Sequence, residues 1–150
     1  MKYLSAEIKE ENPKTEKFRK ILFVCIGNSC RSQISEGWGK YFNNKYFNNE
    51  FEIYSAGTHP AGWVAEGAVA SMKELGIDIS NQFSKHLSEI DIKETDLLIT
   101  LGCGVECPWY PHRELVEWEI DDPVGQPIEK FREVRDILKD KILNLMKKYY

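Results

Sequence analysis

Residues 21–25 read "ILFVC", five apolar side chains in succession with no polar alternation. A strand with one wet face alternates; a run like this one belongs to a strand covered on both faces, as in parallel sheets. "DLLITLG" at 96–102 has the same character, and "FEIYSAG" at 51–57 and "LVEWEI" at 115–120 supply two further strands. Helical patterns separate them. Residues 32–47 carry Ile34, Trp38, Tyr41 and Phe42 at helical spacing. "WVAEGAVASMKELG" is amphipathic and stops at Gly76, and 128–149 places Ile128, Phe131, Val134, Ile137, Leu138, Ile142 and Leu145 on one stripe. This alternation predicts an α/β fold, a four-stranded parallel sheet flanked by helices and wrapped on both faces. The 150 residues suit one core. We assign 20–150 to a single domain and 1–19, charged and carrying Pro13, to a polar arm.

The formal net charge is -4 and there is no extended basic run, so neither nucleic acid nor an anionic membrane surface is an expected partner. No apolar stretch is long enough to span a bilayer, and the first twenty residues lack the apolar segment of a secretory signal. The expectation is a soluble cytoplasmic protein. Its cysteines, Cys25, Cys30, Cys103 and Cys107, should then stay reduced and do chemistry rather than staple the fold.

In doubly wound sheets ligands bind beyond the carboxyl ends of the strands. Three segments fall there: the loop after Cys25, "GCGVECPWYP" after Leu101, and "DDP" after Ile120. In the first, Cys25 and Arg31 are separated by five residues, and Ser32 follows. A loop of that length can curl so that the N–H groups of Ile26, Gly27, Asn28, Ser29, Cys30 and Arg31 point inward, joined by the positive end of the next helix. Arg31 adds a fork of donors matched to a tetrahedral oxyanion. Gly27 permits unusual backbone geometry, and Asn28 tolerates a left-handed conformation. Such a field stabilises a Cys25 thiolate, to which Ser32 can donate a hydrogen bond, and so makes it a nucleophile.

Cys103 and Cys107 can bond to each other if their segment is a helical turn or can rearrange, with Gly102 and Gly104 supplying freedom. Two other readings stand beside this one: incidental loop cysteines, or a structural zinc site made of all four thiols. The second has spacings unlike the usual Cys-x2-Cys knuckle. "DDP" reads as a polar turn in which Pro123 holds Asp122 extended. His59, His86 and His112 fall on turns and loops without ligand spacing, and Trp38, Trp63, Trp109 and Trp118 read as core residues.

"VCIGNSCRSQISEGWG" resembles the phosphate-binding loop of the low-molecular-weight tyrosine phosphatase superfamily, and more closely that of the thioredoxin-coupled arsenate reductases built on the same fold. The resemblance continues through "YSAGT", "AVASMKELGIDISNQFSKHL", "DLLITLG", "CP", "DDPVG" and "FREVRDIL", over roughly residues 20 to 148. It implies that arsenate, with phosphate as a competing oxyanion, binds in the first loop. It implies a relay in which Cys25 attacks arsenic, Cys103 attacks Cys25, and Cys107 attacks Cys103, the last disulfide being reduced by thioredoxin. Glutaredoxin or another small dithiol protein would serve the same chemistry. It makes Asp122, ahead of Asp121, the general acid, and Cys30 a packing residue.

The same resemblance implies no organic cofactor. A potassium site occurs in some members at positions matching Asn28, Glu36 and Ser55; their fourth, acidic ligand is here Lys85, whose ammonium should replace the ion. The chain departs from the pattern where Gly102 is inserted before Cys103 and the loop to Cys107 is shortened. Val124, Gly125 and Gln126 also stand where phosphotyrosine-specific members carry aromatic residues. The rival functions are a low-molecular-weight protein tyrosine phosphatase and a non-enzymatic oxyanion or redox sensor.

Overall fold

The computed structural model describes residues 17–102 and 109–150. Four parallel strands, β1 (Lys20–Cys25), β2 (Glu52–Gly57), β3 (Thr95–Thr100) and β4 (His112–Glu117), lie in the order β2-β1-β3-β4. Among the described residues three helices join or follow them: α1 (Arg31–Tyr46), α2 (Glu66–Lys73) and α3 (Ile128–Tyr149), with a 3-10 turn at Leu87–Glu89. The chain leaves β1 on one side to form β2 and then crosses to the other side to form β3. The carboxyl ends of β1 and β3 therefore flank the point where winding reverses, which is where such sheets open a crevice.

Both faces of β1 are dry. Ile21, Phe23 and Cys25 face a core shared with Ile34, Trp38 and Phe42 of α1, Ala68 and Met72 of α2, and Phe131, Val134, Leu138 and Ile142 of α3. Leu22 and Val24 face a smaller cluster with Ala56, Leu98, Leu87 and Ile90. The second layer is thus supplied, among the described residues, by the 3-10 turn and its flanks, with Ile92 and Tyr110 packed on it, rather than by an α-helix. Tyr110 closes it by donating its hydroxyl to the carbonyls of Ile90 at 2.9 Å and Ile92 at 2.5 Å.

Two elements differ in extent from the sequence expectation. The fourth strand runs His112–Glu117, three residues earlier at both ends than 115–120, so His112 belongs to a strand and not a loop and Ile120 lies beyond the strand. β4 is the sheet edge and mostly exposed, so its place is set by its ladder with β3, from Thr95 opposite His112 to Thr100 opposite Glu117, and not by apolar content. The second helix starts only at Glu66, because the backbone before it is tied to the loop after β1, as described below. Trp63 is left outside the helix and 66% exposed, and Trp109 is 67% exposed, so neither is a core residue; Trp38 is buried.

The last residues of the arm already touch the domain: the Phe18 ring packs 4.8 Å from Tyr149 and beneath the Arg113 guanidinium. Among the described residues no helix is long and apolar enough to cross a membrane.

Candidate active site

Cys25 ends β1 with 2% of its surface exposed, and the chain turns through residues 26–30 into α1. No side chain caps the start of α1, so its first N–H groups remain available to an anion. The segment 59–65 braces the loop from outside. The N–H groups of His59, Ala61 and Ala65 donate to the carbonyls of Ile26, Gly27 and Ser29 at 2.9, 2.9 and 2.8 Å. Ser84 Oγ adds a bond to the Gly27 carbonyl. With its carbonyls drawn outward, the loop is left to turn its N–H groups toward its own centre.

Gly57 is obligatory here: a Cβ on it would stand 2.4 Å from the Ile26 carbonyl oxygen and 2.9 Å from that of Cys25. Gly27, expected to supply the unusual backbone angle, does not; a Cβ there would meet only ordinary contacts. The left-handed residue is Asn28, with φ 46°. Its side chain holds it there. Nδ2 donates to Ser32 Oγ at 2.7 Å and Ser55 Oγ at 3.1 Å, and Oδ1 accepts from Gln33 Nε2 at 3.0 Å and the Lys85 N–H at 2.9 Å. Ser32 Oγ lies 2.9 Å from Cys25 Sγ, so the network ends on the thiol.

Arg31 is buried against the carboxyl ends of β3 and β4. Its Nη1 donates to the carbonyls of Leu101 at 2.9 Å, Gly102 at 2.8 Å and Ile120 at 3.1 Å. One arm of the fork is therefore a structural clamp that joins three sequence-distant loops. The inserted Gly102 has a positive φ of 89° and offers its carbonyl to that clamp.

Asp122 Oδ2 lies 3.9 Å from Arg31 Nη2, and Asp122 lines a cavity of about 40 Å³ together with Cys25, Gly27, Ser29, Cys30, Arg31 and Val124. That volume suits a small ligand. Asp121 turns away: it pairs with Lys130 at 2.8 Å, and this hydrogen bond holds its carboxyl below the usual carboxylate range. Cys30 is buried; desolvation first, then the Asp122 and Cys25 charges, push its thiol far up, against the pull of Arg31. It is a poor nucleophile.

The structure thus brings together Cys25, Arg31, Ser32 and Asp122, with Gly27, Ser29 and Cys30 on the cavity wall. Asn28 lies behind the wall with no exposed surface, and Ile26 is outside the cavity lining and 40% exposed. Cys103 and Cys107 lie outside the described residues. Among the described residues no group of three or more His, Cys, Asp or Glu is placed to hold a metal ion. His86 accepts a bond from the Ser88 N–H and so caps the 3-10 turn.

The potassium site implied by the resemblance can be tested against the side chains present. Ser55 donates to Glu36 Oε1 at 2.5 Å, but Lys85 Nζ already sits 3.4 Å from Ser55 Oγ and 3.6 Å from Glu36 Oε1. Asn28 Oδ1 has both its lone pairs taken by donors. A potassium ion does not fit beside the ammonium.

Sequence reasoning missed Gly57, Ser84 and Gln33. Gln33 is fully buried and bonds Asn28 as well as the Phe83 carbonyl. Their roles lie in backbone contacts between distant segments, and no local pattern announces them.

Comparison with known proteins gives a consistent result. A family model described as low molecular weight phosphotyrosine protein phosphatase matches residues 20–149. Arsenate reductase 2 of Staphylococcus haemolyticus is 42% identical over 125 residues, which is 81% of this chain and 92% of that protein. A solved arsenate reductase in a phosphate-binding state superposes with a TM-score of 0.78 at 37% identity, over 88% of this chain and 99% of that one. The thioredoxin-dependent arsenate reductase of Corynebacterium glutamicum gives 0.71 at 29% identity, over 89% and 62%. With β1, the braced loop and α1 arranged as above, the chain belongs to the low molecular weight phosphotyrosine protein phosphatase family.

Proposed function

We propose that this chain reduces arsenate to arsenite and returns to its resting state through a small dithiol protein of the thioredoxin kind. The observation that carries the reading is the buried Cys25 at the wall of a small cavity, with Arg31 and Asp122 on the same wall, in a chain 42% identical to staphylococcal arsenate reductases.

The chemistry follows from these groups. Arsenate lies against the loop N–H groups and Arg31. The Cys25 thiolate attacks arsenic while Asp122 gives its proton to the departing oxygen, which leaves as water. Cys103 then attacks Cys25 Sγ. The S–As electron pair passes to arsenic, which leaves as arsenite, two electrons richer, and Cys25–Cys103 becomes a disulfide. Cys107 attacks Cys103, Cys25 leaves as thiolate, and the Cys103–Cys107 disulfide is reduced by the dithiol partner. The Ser32 hydroxyl, 2.9 Å from Cys25 Sγ, is placed to donate to that sulfur when it attacks or leaves as thiolate.

The test is arsenate-dependent NADPH oxidation with thioredoxin and thioredoxin reductase, in wild type and Cys107→Ser. Turnover that is lost in the variant, with a Cys25–Cys103 disulfide in its place, is the expected result. A second reading has one observation in its favour: the matching family is described as phosphotyrosine protein phosphatases, and a thiol, a guanidinium and a carboxylate on one cavity wall would also suit phosphoryl transfer. Against a phosphotyrosine substrate, the cavity rim carries Val124, 52% exposed, and no aromatic side chain among the described residues that line it. Brisk hydrolysis of an aryl phosphate without arsenate turnover would favour the phosphatase.

A further inference from the structure

Behind the anion loop, on the side away from the cavity, Glu36 is 5% exposed. A carboxylate buried this deeply needs a counter-charge and hydrogen bonds. Its Oε2 accepts from Lys40 at 2.6 Å, an ammonium that is itself 55% exposed on the next turn of α1. Its Oε1 accepts from Ser55 and faces Lys85, whose side chain is only 13% exposed. Three oxygens surround the Lys85 ammonium: the Phe83 carbonyl at 2.9 Å, Ser55 Oγ at 3.4 Å and Glu36 Oε1 at 3.6 Å. The Phe83 ring covers it at 4.7 Å, and Glu89 stands farther off. Burial pulls the ammonium below the usual lysine range, and Glu36 opposes that pull.

From this pair a continuous chain of bonds runs to the thiol. Ser55 donates to Glu36, so it can only accept from Asn28 Nδ2; Asn28 then donates to Ser32, and Ser32 meets Cys25. The Glu36 carboxylate therefore sets the direction of every donor in the row. The backbone of Lys85 enters at a second point, through its N–H on Asn28 Oδ1 and its carbonyl, which accepts from the Gly57 N–H.

We infer that Lys85 is a covalently built-in monovalent cation, a positioning residue that supplies the counter-charge beside Glu36 and Ser55 and thereby holds Asn28 and Ser32 in the orientation that prepares Cys25. Two consequences follow. The protein has no use for an added alkali cation. Truncating Lys85 exposes a hollow lined by a carboxylate, a hydroxyl and a backbone carbonyl, a donor set suited to a hard monovalent ion.

The inference deepens the proposed function and shares with it only the role of Cys25. Its test therefore reads the thiol and not turnover. The rate at which iodoacetamide labels Cys25 at pH 7, followed by tandem mass spectrometry of the 21–31 peptide, is measured in potassium chloride and in choline chloride at equal ionic strength. Wild type should label at one rate in both salts. Lys85→Ala in choline should label roughly threefold to tenfold more slowly, the range expected for loss of a coupling carried through a hydrogen-bonded network. Potassium or methylammonium should restore it toward wild type.

A potassium-dependent acceleration of the wild type overturns the inference, and that arm needs no variant to fold. Labelling of Lys85→Ala at the wild-type rate in choline overturns it. So does a slow rate that neither cation restores while circular dichroism shows native structure, since a purely packing role for Lys85 predicts that result. Failure of arsenate turnover with these labelling results intact would count against the proposed function alone.

Discussion

Replacing Asn28 by alanine removes the side chain on which the loop turns, and its cost can be worked bond by bond. Asn28 is fully buried. Gln33 Nε2 loses little, since it keeps the carbonyls of Asn28 and Phe83. The Lys85 N–H loses its side-chain acceptor, which costs about 2 kcal/mol for a buried donor left unpaired. Ser32 and Ser55 each lose a donor but keep Cys25 and Glu36 as partners, about 0.5 kcal/mol apiece. Alanine also resists the positive φ of 46°, which asparagine tolerates, at about 1 kcal/mol. The sum is about 4 kcal/mol. In a domain of this size it should lower the melting temperature by roughly 8–16 °C.

Asn28→Gly separates the two contributions. It keeps the left-handed freedom and loses the bonds, so it should cost about 3 kcal/mol. The assay is urea denaturation of the three proteins, with phosphate affinity by calorimetry as the functional readout. A loss below about 1 kcal/mol in alanine, or phosphate affinity unchanged in both variants, would refute the claim that this side chain builds the loop.

Gly57→Ala should abolish phosphate binding measured in the same way, because its Cβ meets the carbonyl oxygens of Ile26 and Cys25, backbone atoms that cannot step aside without opening the loop. Asp122→Asn should lower arsenate turnover roughly 100-fold or more, as expected for loss of a general acid, whereas Asp121→Asn, which only breaks an exposed pair with Lys130, should stay close to wild type. Tyr54 and Tyr149 should ionise above the usual phenol range. Burial, helped by Glu52, lifts Tyr54 to about 12, and the hydrogen bond to Glu114 lifts Tyr149 to about 12. A phenol pKa raised on folding adds stability that is fully present below the unfolded value near 10 and is lost as the pH climbs toward 12. Absorbance titration at alkaline pH, with Tyr54→Phe and Tyr149→Phe, checks both.

Much of the site was legible before the fold was known, for a physical reason. Cys25, Arg31 and Ser32 sit within one stretch of eight residues along the chain, at a junction of strand and helix, so residue type and spacing carry the inference. The preference for Asp122 over Asp121 rests on resemblance; in the structure Lys130 pairs with Asp121 while Asp122 lines the cavity. Gly27 was misread because two neighbouring residues could each accept the unusual backbone angle. Only the bonds Asn28 donates to Ser55 and accepts from Gln33 and Lys85 select it for that angle. The fourth strand was displaced because an edge strand shows water most of its side chains and so writes little periodicity into the sequence.

Local order is what the amino-acid sequence determined by itself: which segments are strands buried on both faces, which are amphipathic helices, and that a thiol and a guanidinium flank a helix start. These follow from hydrophobic periodicity and backbone preference, which act within a few residues. The tertiary structure alone decided what meets across the sheet. The order β2-β1-β3-β4 brings the carbonyls of Leu101, Gly102 and Ile120 onto one nitrogen of Arg31, the segment 57–65 onto the back of the anion loop, and the Lys85 ammonium onto Glu36. Most of those acceptors are backbone carbonyls, identical in every residue, and they gain their meaning only from position.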